Sequence, residues 1–150
     1  MPLNGVPKDY SLEVVRGSHQ GTQYDGTAFD HDDPTKPFFG DRANLPRMPD
    51  IAADIKKDPA AWDIVSYAMN PGDVLILHPR SLHGGGLTDG HYSERQTLTL
   101  RFFGDDAFYS DHIPGGDGLY TVDQRKKSGD DVRRLQHGDP YRSSKFLQVV

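Results

Sequence analysis

Two side chains twelve residues apart, His83 and Arg95, carry most of the chemistry this sequence offers. His83 closes the loop HPRSLHGGG, and Arg95 opens the run ERQTLTLRF. A neutral imidazole is the commonest protein metal ligand, and a guanidinium matches a carboxylate bidentately. Thr97 lies two residues beyond Arg95, on the same face of an extended strand, and can add a hydroxyl donor. If the strands bearing them are neighbours, His83 and Arg95 face one cavity as a metal ligand beside a dicarboxylate anchor. The plainer reading is that His83 is a hydrogen-bonded structural histidine at the end of an apolar run.

Other residues compete for these roles with weaker support. His31-Asp32-Asp33 contains a His and a carboxylate two apart, the spacing of the two-His-one-carboxylate arrangement that leaves open positions on non-haem Fe(II). With seven histidines and many aspartates, such a pair arises often by chance, and it sits in a Pro/Gly/Asp-rich loop. His78 reads as structural, and Arg101, about 20 Å along the strand from Arg95, as a rim or ion-pair residue. His19 follows a Gly-Ser turn with no partner at a telling spacing. His91, His112 and His137 lie in polar contexts and read as surface residues.

These side chains need strands to place them, and composition favours strands. Sixteen glycines and eleven prolines punctuate short apolar runs across 150 residues, the pattern of a loop-rich β domain of one core. Residues 11–16 form a short strand ended by Gly17. About thirty residues without sustained period follow, in which Tyr24, Phe29, Phe38 and Phe39 could pin a cover over a pocket. Residues 50–62 make the one convincing helix, with Asp50 as N-cap and Pro59 limiting its length. Residues 63–69 read as a strand, NPGD at 70–73 as a turn, and 74–77 as a strand buried on both faces, so that the two strands form a hairpin. Residues 95–103 alternate as a second long strand, with Leu98, Leu100 and Phe102 on one face and Arg95, Thr97, Thr99 and Arg101 on the other. Charges of both signs over 123–134 read as a solvated stretch, and 146–150 as a terminal strand.

Charge and cysteine content exclude further classes. A net charge of -5 scattered through loops provides no basic stripe for nucleic acid. Without cysteine there is neither a disulfide framework nor a thiolate metal site. No apolar run is long enough to span a membrane and the N-terminus has no leader character, so a soluble, cytoplasmic chain acting on a small molecule is expected.

The segments SLEVVRGSH, MPDI, DIVSYAMNPGDVLILHPRSLHGGG, ERQTLTLRFFGDDA and GDPYRSSKF resemble, in that order, the phytanoyl-CoA dioxygenase family of Fe(II)- and 2-oxoglutarate-dependent oxygenases. The resemblance implies a double-stranded β-helix, or jelly roll, and hydroxylation of a small or acyl-type organic substrate. It implies His83 as the distal metal ligand and Arg95 as partner of the far carboxylate of 2-oxoglutarate, with Thr97 and Thr99 lining the pocket. The family carries its HxD pair on a strand upstream of SLEVVRGSH, so the chain resembles the C-terminal part of the family domain, lacking its N-terminal strands. His31 and Asp33 stand elsewhere, although they could substitute. Open sheet edges would then invite pairing of two copies. A non-catalytic jelly-roll binding module, and a cupin-like metalloenzyme using His31, Asp33 and His83 without 2-oxoglutarate, are the alternatives.

Overall fold

A computed structural model describes residues 1–28, 30–40, 44–87, 89–92, 94–110, 135–142 and 149. Among these residues are a three-stranded antiparallel sheet and one short α-helix, joined by long irregular segments. Strand β1 (Glu13–Val15) is the centre of a three-stranded antiparallel sheet, flanked by β2 (Ile64–Val65) and β3 (His83–Gly84). The register sets Val14 opposite both Val65 and His83, and Val15 opposite Ile64. Directly opposed residues project to the same face, so His83 shares a face with Val14 and Val65. The other face carries the buried Val15 and is the one turned to the core. β-Branched valines suit this pleated, doubly paired position. Gly17, at φ 75°, then turns the chain through a left-handed conformation that other residues resist.

The helix α1 (Ile51–Lys57) begins as its sequence predicts: the Asp50 carboxylate accepts from the Ala53 backbone N–H at 2.9 Å. It stops at Asp58, just ahead of Pro59. The NPGD turn also forms, with Gly72 at φ 99° and the Asp73 N–H donating to the Asn70 carbonyl at 3.0 Å. This combination needs positive φ at the third turn position.

The hairpin expected across that turn does not form. β2 pairs with β1 instead, and residues 74–77 belong to no strand among the described residues. They alternate, with Leu75 and Leu77 half-buried, Val74 62% exposed and Ile76 89% exposed. An apolar run reports a preference for burial but not the identity of its partner, and β1 takes the ladder that the hairpin would have used. The long strand expected over 95–103 is likewise reduced to one bridge, Thr97 to Pro2, and Leu98, Leu100 and Phe102 are exposed.

The N-terminal residues, which carry no strand signal of their own, make the missing pairings. Leu3 N–H donates to the Gln96 carbonyl at 2.9 Å and Leu98 N–H to the Met1 carbonyl at 2.8 Å. Val6 exchanges both backbone bonds with Met69, at 2.7 and 2.9 Å, and is 5% exposed. The Asn4 side chain adds bonds to the Glu94 carbonyl and the Gln96 N–H.

The chain clusters into two compact units, Met1–Phe38 with Pro46–Leu100, and Phe39–Leu45 with Arg101–Val150. Everything above except residues 101–103 lies in the first. In the second, Phe108 bridges Pro140, the Tyr109 N–H donates to the Asp139 carbonyl, and Phe103 meets Tyr141 edge-on at 5.1 Å. The charge run 123–134, His112, Phe29 and all but Val149 of the expected terminal strand lie outside the described residues. No described helix is long and apolar enough to cross a membrane.

Candidate functional site

His83 is held from two sides. Its backbone is fixed in β3 opposite Val14, and its ring Nδ1 lies 2.8 Å from the Ser81 carbonyl oxygen. A carbonyl can only accept, so Nδ1 carries a proton, and in the neutral tautomer this fixes, the lone pair is at Nε2. A backbone carbonyl on one ring nitrogen is the usual way a ligating histidine is oriented. The ring is exposed rather than packed, which disfavours the purely structural alternative.

The three glycines after Leu82 and His83 differ in what they permit. A Cβ on Gly84 would meet open space. One on Gly85 would lie 3.3 Å from an Arg95 guanidinium nitrogen, which places that guanidinium against the residue two beyond His83. One on Gly86 would lie 2.6 Å from backbone atoms of Asp9, Tyr10 and Ser11. Gly86 therefore lets two stretches of backbone touch, and the Leu87 N–H donates to the Asp9 carbonyl at 2.9 Å beside it.

That contact brings in Tyr10, which gives no signal in the sequence. Tyr10 ends a 3-10 turn, Lys8–Tyr10, and its carbonyl accepts from the Arg95 guanidinium. Its ring packs on Tyr92 at 5.2 Å between centroids, and its hydroxyl lies 3.1 Å from both Asp89 carboxylate oxygens. Loss of solvent, and then the bond and charge of Asp89, push the phenol above its ordinary pKa, so it remains the donor. Tyr92 in turn donates to the Gly5 carbonyl. Arg95 enters no ion pair among the described residues, so its charge is oriented but not neutralised. Thr97 and Thr99 are exposed.

His31 and Asp33 are not brought to His83. Asp33 is engaged by Arg47 and Thr35, and Asp30 by Lys36 at 2.6 Å. No three His, Asp or Glu side chains among the described residues come together as a metal-binding group, which removes the set of His31, Asp33 and His83. The Asp33 carboxylate is satisfied within its own loop, so the HxD spacing there serves loop structure. His19 does have a partner: its ring lies 5.4 Å from that of His78. Ser18 Oγ, accepting from the Leu82 N–H at 2.8 Å, ties the two loops together across 64 residues. His78 accepts from the Arg80 N–H, in keeping with a structural role.

Within the described residues the site thus holds one oriented imidazole and one oriented, uncompensated guanidinium. A model of the phytanoyl-CoA dioxygenase family matches residues 10–91, a span that contains β1, α1, β2 and His83 and ends before Arg95. Neither a curated protein nor a solved structure gives a match. The family match covers more than half of the 150 residues, and the chain belongs to the phytanoyl-CoA dioxygenase family, a family of oxygenases.

Proposed function

We propose that the domain is an Fe(II)- and 2-oxoglutarate-dependent hydroxylase of a small or acyl-type organic substrate, built on a jelly roll. The observation that carries this reading is the paired setting of His83 and Arg95. Nδ1 of His83 is spent on the Ser81 carbonyl, which aims Nε2 outward, and the guanidinium rests against Gly85. In this reading His83 supplies one metal ligand and Arg95 holds the far carboxylate of the cosubstrate, with the Thr97 hydroxyl in reach of the same anion. The described residues do not complete a metal centre, because no second and third ligand stand beside His83. The roles assigned are therefore those of orientation and anion binding alone.

Anaerobic titration with Fe(II) and 2-oxoglutarate tests the reading through the metal-to-ligand charge-transfer band. A weak band is expected, abolished in His83→Ala and moved to higher 2-oxoglutarate concentration in Arg95→Ala. A band of unchanged strength in His83→Ala overturns the assignment. The incomplete ligand set favours one second reading, a non-catalytic module that binds a carboxylate through Arg95. That reading predicts 2-oxoglutarate binding that is the same with and without Fe(II).

A further inference from the structure

We propose that Tyr10 is a positioning residue for Arg95, locked by Asp89 and Tyr92, and that this clamp sets the preference of the site for a dicarboxylate. The inference rests on the assignment of Arg95 as the anion anchor. An arginine on an exposed segment has many rotamers, and fixing one side chain of this kind costs conformational entropy. Here the cost is met before any ligand arrives. One guanidinium N–H is tied to the Tyr10 carbonyl, a neutral acceptor that orients the group and leaves its charge intact. The remaining donors of the five-donor fork can address a ligand carboxylate.

A carbonyl orients only as well as its own backbone is held, and Tyr10 is held at several points. The Tyr10 N–H donates to the Pro7 carbonyl at 3.1 Å within the 3-10 turn. Gly86 packs directly on the backbone of Asp9 to Ser11. The ring rests on Tyr92, and the hydroxyl donates to Asp89. Asp89 also accepts from the His91 N–H at 3.0 Å, which fixes the carboxylate that receives the phenol. Asp89, Tyr92 and Arg95 are all within six residues of one another, so the clamp joins the segment bearing Arg95 to the turn bearing its acceptor. Tyr10 itself does not touch the ligand in this scheme.

The test compares binding of 2-oxoglutarate with that of 2-oxobutyrate, which lacks the far carboxylate, to the full chain by ligand-observed saturation-transfer NMR. The wild-type chain is expected to prefer 2-oxoglutarate, and Arg95→Ala to erase the preference. Tyr10→Ala should lower the preference about fivefold, and Tyr10→Phe and Asp89→Asn about twofold. In the Arg95→Ala background Tyr10→Ala should change nothing further. If Arg95→Ala erases the preference while Tyr10→Phe and Asp89→Asn both keep it whole, the clamp is wrong and the anion role of Arg95 stands. If Arg95→Ala keeps the preference, the role of Arg95 itself fails and the clamp with it. An equal loss of affinity for both ligands in the Tyr10 and Asp89 variants marks a merely structural role and overturns the proposal. The Phe and Asn variants carry the test should Tyr10→Ala not fold.

Discussion

The corner around Arg95 and the loop from Asp30 to Arg47 both combine a histidine, an arginine and nearby aspartates, yet they use them in opposite ways. In the loop, Arg47 is bound to the Asp33 carboxylate and to the Thr35 hydroxyl at 2.8 Å, and Lys36 to Asp30. Lys36 and Arg47 there each meet a carboxylate, and within each pair the charges offset one another. At the corner, Arg95 and His83 are both held by backbone carbonyls, of Tyr10 and Ser81. A neutral acceptor orients a cation or an imidazole without consuming its charge or its second nitrogen. The difference separates a loop stapled by charge from a site prepared for a ligand.

The largest effect is expected for Gly86→Ala, because the added methyl would overlap backbone from Asp9 to Ser11 that has no freedom to retreat. A loss of about 3 kcal/mol in denaturant unfolding is expected, against little change for Gly84→Ala, where there is open space. Equal effects at the two glycines would show that the corner is not held by backbone contact. Next, Arg95→Ala should weaken 2-oxoglutarate binding about tenfold or more, the contribution of a hydrogen bond to a charged group. Arg47→Ala should leave that binding as it is. Equal losses in the two variants would erase the distinction between spent and available cations.

A smaller effect, but a discriminating one, is expected from pH. The bond from Lys36 holds Asp30 below the ordinary carboxylate value. Partial burial acts upward on Asp33, but the bonds from Arg47 and Thr35 outweigh it and hold it low as well. Groups lowered on folding contribute above about pH 4, and the contribution disappears as pH falls through the lowered value. Tyr10 is raised, so its contribution is present below about pH 10 and is lost as pH rises through the raised value. The backbone N–H resonances of Asp32 and Thr35, which donate to these carboxylates, should therefore move on acidification. That of Leu87, at the corner, should move in alkali as Tyr10 gives up its proton. A common midpoint for all three would contradict the division. The smallest effect, under about 0.5 kcal/mol, is expected for Ile76→Ser, since that side chain is 89% exposed.

What could be read in the sequence was what is decided locally. The Asp50 cap, the Gly72 turn, the stop at Gly17 and the strands around residues 14 and 64 each depend on a few neighbours, and each formed. The pairing of those strands did not follow from local pattern. Residues 74–77 read as a strand buried on both faces and leave Val74 and Ile76 bare, whereas Pro2 and Val6, in a stretch broken by prolines, are buried. Their burial comes from partners more than sixty residues away, which no periodicity reports. The same holds for the site. His83 and Arg95 announce themselves by chemical type, and the glycine loop by composition. Tyr10 acts through its carbonyl and its neighbours, and a carbonyl is common to every residue.

The pairing of residues 1–6 also has a kinetic side. Met1 and Leu3 are bonded to Leu98 and Gln96, and Val6 to Met69. Residues 1–6 thus have no partner until about sixty to nearly a hundred further residues have been made. Closing so long a loop is entropically costly, and such contacts form late. β1 can already pair with β2 while the flanking segment waits, so folding of the first unit should proceed from β1 outward and finish with the N-terminal segment. During that interval the apolar side chain of Val6, buried once the segment docks, is open to wrong partners.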